Sequence, residues 1–384
     1  MRLSAVSVAA ALVVAILAAG AGTAAAYPQF QFSTDNERCG NCHLAPMGGG
    51  LLNDYGRSEA ADTISGRGDG AFLHGAWAPP GWLLLGADLR GVLGAKQLDG
   101  QDPELLAFPM QADLYAQVNA GPLRLAVTAG LRGAARERSP GPTPTQWLAS
   151  REHYLMYQKD DDAPYVRLGR FYPVFGIRTQ DHTAYPRRHL GFYLLEEPYA
   201  LGGGVVRATW EAHASAFVGN PVPFTGAGPR ASGAAAYYEK RLAGNTRALA
   251  GQARFATTDV DRRYTVGAVG KQWLPGPRLM LLGELDLQLQ SFTAEGGGAD
   301  ARLQMVGHAS VTRMMLPGWM IGAAFQRWAP DLTLRGSTRN ALEVNAQAFP
   351  WAHVELHLLL RAEATGGDTF EPNLLSLLQL HYYL

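Results

Sequence analysis

Thiols are almost absent from this chain: of 384 residues only two are cysteines. One pair cannot supply the disulfide framework that staples small secreted domains. Charge is sparse and balanced, with 33 Lys and Arg against 33 Asp and Glu. A neutral chain has no field with which to gather nucleic acid, so no nucleic-acid partner is expected. Beyond residue 26 there is also no apolar run long enough for a membrane-spanning helix. Yet the chain is 47% hydrophobic, with 45 glycines and 15 tyrosines. Its apolar residues must be deployed in some other pattern.

The exception to that scarcity of long runs is the start. Arg2 precedes an apolar stretch over 4–19, and Ala24-Ala25-Ala26 offers a small-x-small cleavage pattern. Residues 1–26 therefore read as a secretory signal peptide, with a mature start at Tyr27. From about residue 82 the pattern repeats every two residues. In 111–119, Ala112, Leu114, Ala116 and Val118 alternate with polar neighbours; in 279–290, Leu285, Leu287 and Leu289 alternate with Glu284, Asp286 and Gln288. The same holds around Val344 and around Leu356 to Leu360. Each such segment has one apolar and one polar face. Many are longer than the five or so residues usual in soluble sheets, and they suit a tilted crossing of a bilayer. Lipid leaves no partner for an open sheet edge, so such strands must close into a barrel.

The expected fold class is all-β: a transmembrane outer-membrane β-barrel of about sixteen antiparallel strands, carrying a short N-terminal c-type haem segment. Segments are expected at 82–93, 108–119, 122–133, 149–158, 164–172, 203–210, 212–219 and 233–241. Eight more follow at 248–258, 262–273, 278–291, 301–315, 318–327, 339–349, 352–363 and 374–383. Fourteen or eighteen strands remain open, because the fourth, sixth and eighth are weakly patterned. Tight turns at Gly121-Pro122, Pro275-Gly276-Pro277, Pro317-Gly318 and Pro350-Trp351 alternate with longer connections, as short periplasmic turns alternate with external loops in such barrels. Polar residues such as Asp113, Glu284, Asp286, Glu343, Glu355 and Arg361 imply a wet lumen of mixed sign. The long connection after Tyr172 carries Arg178, His182, Arg187, Arg188 and His189, following Arg167 and Arg170. It is either folded into the pore, adding positive field, or an ordinary outer loop.

The two cysteines stand in CGNCH, residues 39–43. C-x-x-C-H is the attachment site of a c-type haem: Cys39 and Cys42 bond the porphyrin, and His43 reaches the iron. A thioredoxin-like pair would need a strand-to-helix setting, and a zinc site would need further thiolates. The expected cofactor is one covalently attached haem c with its iron. Residues 27–79 form the haem segment, on the periplasmic side or in the barrel mouth, and 80–384 form the barrel. Fifty residues make a thin sheath for a haem, so barrel wall is expected to complete the pocket. Leu51 and Tyr55 are candidate ring contacts. His74 is the leading candidate for the sixth iron ligand, so the expected metal ligands are His43 and His74. Met47 is a weaker candidate, and His153, His308, His357 and His381 are lumen alternatives to an open position.

The run RLGRFYPVFG at 167–176, with the hairpin periodicity, resembles outer-membrane porins of the phosphate-selective type. The ending His381-Tyr382-Tyr383-Leu384 is similar to the terminal-strand signal of outer-membrane proteins, with Leu where Phe is usual. CGNCHLAPMGGGLLNDYG resembles the haem-binding segment of c-type cytochromes fused or coupled to such barrels. A haem tethered to such a barrel points to electron transfer at the bacterial outer membrane, with a carrier or porin expected ahead of a haem enzyme such as a peroxidase. Because a barrel's apolar band is about 25 Å tall, one haem would need periplasmic cytochromes, and a further one in the lumen or outside. Membrane lipid and lipopolysaccharide would surround the wall. The alternative is a diffusion porin for small, including anionic, solutes with an accessory haem.

Overall fold

The computed structural model describes residues 28–33, 38–46, 48–98, 100–131, 148–179, 181, 183–193, 196–219, 231–242, 244–293, 301–334, 336–366 and 372–384. The signal peptide, Met47 and His182 lie outside the described residues. Sixteen antiparallel strands close into one barrel, with each strand bonded to its sequence neighbours and the last to the first. They are β1 Leu83–Gln97, β2 Glu104–Ala120, β3 Leu123–Leu131, β4 Leu148–Gln158, β5 Tyr165–Arg170, β6 Tyr199–Val206, β7 Trp210–Val218 and β8 Ser232–Leu242. The second half runs β9 Arg247–Thr257, β10 Asp261–Leu274, β11 Leu279–Phe292, β12 Ala301–Leu316, β13 Trp319–Ala329, β14 Arg339–Trp351, β15 Val354–Thr365 and β16 Asn373–Tyr383. Closure pairs Asp88 with Tyr383 and Gln97 with Leu374.

The distribution of polarity is that of a wall in lipid. Outward Leu114, Leu168 and Val266 are 67%, 62% and 59% exposed, while inward Asp113, Glu211 and Asp286 are fully covered. A soluble barrel would invert this, hiding leucine and wetting aspartate. Alternation in sequence names the two faces without saying which is inside; the sense of closure decides it. Exposed Trp82, Tyr157, Trp319 and Trp351 cluster at the strand ends nearest the short turns. Aromatic side chains in that position suit a lipid–water interface. At the tight turns Gly121 and Gly318 take φ of 60° and 80°, a region that a Cβ would strain.

Several boundaries differ from the sequence reading. β6 begins at Tyr199 and not at 203, and the region from 207 is a turn. Gly202, Gly203 and Gly204 carry no pattern, so only pairing with β5 reveals the strand. β1 and β2 extend to Gln97 and Glu104, shortening the connection expected at 94–107. Pro350-Trp351 belongs to β14, and the turn falls at Ala352 and His353, where φ is 74°.

Two pieces of chain occupy the lumen. The connection 171–198 turns inward: Ile177 donates its backbone N–H to Glu284 at 2.9 Å, and Tyr185 donates its hydroxyl to Glu363 at 2.7 Å. Arg361 reaches Asp181 at 3.3 Å. The wet interior expected around Asp113, Glu284, Asp286, Glu343, Glu355 and Arg361 is thereby corrected, since all six are buried. Glu284 and Arg361 meet the loop, Glu343 pairs with Arg361, and Asp113 and Glu355 pair with Arg151 and His381 of the wall, because a buried charge must be paired or hydrogen-bonded. The second piece is the N-terminal segment. Its Phe32 packs with Phe171, Ile177, Phe217, Tyr237 and Trp273 in one apolar cluster inside the wall.

Candidate functional site

Cys39–Asn41 forms a short 3-10 turn, and His43 donates its backbone N–H to the Cys39 carbonyl at 3.0 Å. Cys39, Cys42 and His43 are thus carried on one tight turn. The chain then doubles back: His43 bridges Leu52, and Leu44 donates to the Leu51 carbonyl at 3.0 Å. Asn53 caps helix α1, Asp54–Glu59, by accepting the Gly56 N–H, and its Nδ2 donates to the Asn41 carbonyl at 2.9 Å. The helix packs so closely on the turn that a Cβ at Gly56 would lie 2.2 Å from the Cys42 carbonyl oxygen. Leu51 is buried, as suits a ring contact, whereas Tyr55 is 48% exposed.

The barrel holds this segment at its short-turn end and inside its wall. Arg38 pairs with Asp162 at 2.6 Å, Arg124 donates to the Leu44 carbonyl at 3.2 Å, and Arg57 donates to the Leu85 carbonyl at 2.6 Å. Gly66 donates to Phe349 at 2.8 Å, and Ala352 donates to Arg67. Deeper in, Gln31 donates to Glu239 at 3.1 Å and accepts from Lys271 at 2.7 Å. Lys271 also pairs with Glu239 at 2.7 Å. Neighbouring Glu211 takes Arg241 from the wall and Arg178 from the inward loop, the latter at 2.8 Å. Plug and loop are therefore bound to one buried ionic row. Sequence reasoning missed that row: its members are dispersed over five separate parts of the chain.

The donor set fits a covalent haem. Both cysteines are free thiols. Burial pushes both upward in pKa, Cys42 to about 12. Burial lowers His43 to about 4, leaving the neutral ring that ligates metals. Its Nδ1 is buried without a hydrogen-bond partner. Gly48, at φ of 86°, lies where a Cβ would come within 3.1 Å of the Cys39 Cβ and 3.8 Å of the His43 ring. Gly48, Gly49 and Gly50 border a lumen cavity of about 270 Å³ whose far side is the loop from Tyr172 to Thr179.

The structure places His74, the expected sixth ligand, beside a histidine of the barrel turn. His74 is exposed at the barrel rim, with its ring 4.9 Å from that of His353. Leu73 and His74 are both left-handed, with φ of 49° and 53°, where the chain runs beside the 352–353 turn. Among the lumen alternatives, His381 is engaged by Glu355 and Asp88 at 2.7 and 3.2 Å. His153 is engaged by Ser150 and Tyr199 at 2.7 and 3.0 Å. His308 and His357 each keep one buried nitrogen without a partner. Among the described residues no group of three His, Cys, Asp or Glu side chains is arranged to hold a bare metal ion.

No protein-family model matches the chain, and no curated protein matches it. Solved structures do. The high-pH structure of Pseudomonas putida OprB superposes with a TM-score of 0.58 at 11% identity, over 79% of this chain and 94% of that one. The fold is that of the outer-membrane porins. An anion-selective porin from Comamonas acidovorans gives 0.59 at 7% identity, covering 79% and 99%. The outer-membrane channel DcaP of Acinetobacter baumannii gives 0.56 at 11%, covering 79% and 97%. At such identities the likeness concerns the porin-like barrel, and the chemistry of the lumen has to be argued from this chain's own residues.

Proposed function

We propose that the chain is a haem-c-bearing barrel of the bacterial outer membrane that exchanges electrons with partner cytochromes. In this reading Cys39 and Cys42 hold the porphyrin, His43 ligates the iron, and the plug faces the periplasm. The observation that carries it is the CGNCH turn, half-buried inside a porin-type wall, with Nδ1 of His43 buried and unpartnered. When bound, the haem supplies a one-electron couple. The chain's own residues do the rest: the buried row from Glu211 to Lys271 seats the plug, and Phe32 and Leu51 exclude water. The inward loop narrows the lumen. No general acid, base or nucleophile is assigned, and the chain is read as a carrier, not an enzyme.

The second reading is a channel for small solutes, favoured by the likeness to solute porins and by the lumen cavity. Two measurements separate them. A pyridine haemochrome assay on the mature protein should give one covalent haem, and its absence sinks the electron-transfer reading. In planar bilayers a plugged lumen gives little conductance, whereas large ohmic steps favour the channel. Reconstituted alone, the protein should be redox-active without reducing an acceptor across the liposome membrane. Unaided transfer would remove the need for partner cytochromes.

A further inference from the structure

The inward loop is fastened to the wall at several points. Through backbone N–H groups, Gly176 donates to Gln252 at 2.6 Å, Ile177 to Glu284 at 2.9 Å and Tyr185 to Gln326 at 2.6 Å. Arg361 holds Asp181, and Glu211 holds Arg178. Each of these contacts matches a polar group of the loop with one of the barrel. Two residues beyond Gln252, on the same inward face of β9, stands a side chain that the loop covers without any such match.

That side chain is Arg254, 7% exposed. Its Nε and Nη1 are buried without a hydrogen-bond partner, and among the described residues no carboxylate lies within ion-pair distance of it. The charges that act on it from farther away are Arg263, of the same sign, and Glu196, which is exposed to water. What meets the guanidinium directly is apolar: the Phe217 ring of β7 at 5.2 Å and the Phe192 ring of the loop at 5.4 Å. The loop backbone presses in beside them, since a Cβ at Gly191 would stand 2.7 Å from Nη2. Gly191 also takes φ of 84°, so space and conformation both exclude a side chain there. Ring faces return part of the hydration that a cation loses on burial. They give Nε and Nη1 no acceptor, however, and an unpaired buried charge is costly. Retreat of residues 191–192 would wet Arg254 again.

We propose that the 171–198 loop is a strap under tension: the covered charge of Arg254 drives it off the wall, and the contacts to Gln252, Glu284, Gln326, Glu363 and Arg361 hold it in the lumen. Such a strap opens locally at far lower cost than the barrel unfolds, and the width of the lumen follows the balance between the two sets of residues. This needs neither the haem nor a transported solute, so it stands or falls apart from both readings above.

The test is hydrogen exchange on the full mature chain in lipid nanodiscs, read at the Gly176, Ile177 and Tyr185 amides. Arg254→Met keeps the side-chain length and removes the charge, and it should slow all three amides by about tenfold or more. Were Arg254 a fastener of the loop, the same change would speed them. Arg254→Lys keeps the charge and loses the planar stack, and it should exchange at least as fast as wild type. Arg262→Gln, at an exposed arginine of β10, should match wild type. Exchange at the wild-type rate or faster in Arg254→Met overturns the proposal. Slowing in Arg254→Lys or in Arg262→Gln overturns it too, because burial of this one charge would then not be the cause. If Arg254→Met does not assemble, Arg254→Gln is read in its place against the same outcomes.

Discussion

Gly56→Ala tests how the attachment turn is built. On helix propensity alone the change should stabilise α1 by about 1 kcal/mol. The packing opposes it. The new Cβ would stand 2.2 Å from the Cys42 oxygen, 2.8 Å from its carbonyl carbon and 2.9 Å from its Cα. All three are backbone atoms, so no side chain can swing aside. Carbon contacts settle near about 3.5–4.0 Å, and helix and turn must separate by roughly 1 Å or more. Overpacking of this kind costs about 1–3 kcal/mol. The separation also stretches two hydrogen bonds, Asn53 N–H to Cys42 and Asn53 Nδ2 to Asn41, both at 2.9 Å, each worth about 1 kcal/mol. The net is about 2–4 kcal/mol against the native turn, or roughly a 30- to 700-fold rise in its opening. Hydrogen exchange at the Cys42, His43 and Asn53 amides in detergent-solubilised protein should accelerate accordingly. Ser58→Ala, exposed on the same helix, should stay within about 0.5 kcal/mol of wild type. Wild-type exchange in Gly56→Ala would refute the close approach on which the reasoning depends.

Lys271→Met removes the ammonium shared by Glu239 and Gln31; breaking a buried pair costs about 3–5 kcal/mol, to be read as a lower urea midpoint and faster proteolysis of the 28–46 region. Leu285→Arg puts a charge on the outward face halfway along β11 and should cost about 2–4 kcal/mol on refolding into bilayers; a neutral result would argue against a lipid-facing wall. His353 touches two carbonyls, those of Tyr383 at 2.6 Å and Ala71 at 3.1 Å. Burial first, and then nearby His74, lower its pKa to about 4. Its unfolded form binds the proton more readily, so its contribution is present above about pH 6.5 and fades as the pH falls toward 4. Exchange at Gly66 and Ala352 should therefore quicken over that window in wild type, and a His353→Gln variant should be flat.

Read in order, the residues alone determined the architecture and carried the proposal of haem attachment. A unique pair of cysteines followed by histidine is local information, written within five positions. Two-residue alternation is local as well, which is why the count of sixteen strands survives in the structure even where β6 was displaced by its glycines. What the residues could not settle was everything decided by distance across the barrel. The direction of the 171–198 loop depends on whether Gln252, Glu284, Gln326 and Glu363 stand ready on the far walls to receive it. His74 is the only other histidine before the barrel, and only the fold brings its ring against His353, from the far end of the chain. The buried row of Gln31, Glu211, Glu239, Arg241 and Lys271 has no spacing to betray it. Such charges find each other only once closure has taken them from water and made pairing obligatory, a condition that belongs to the closed wall and to no single stretch of sequence.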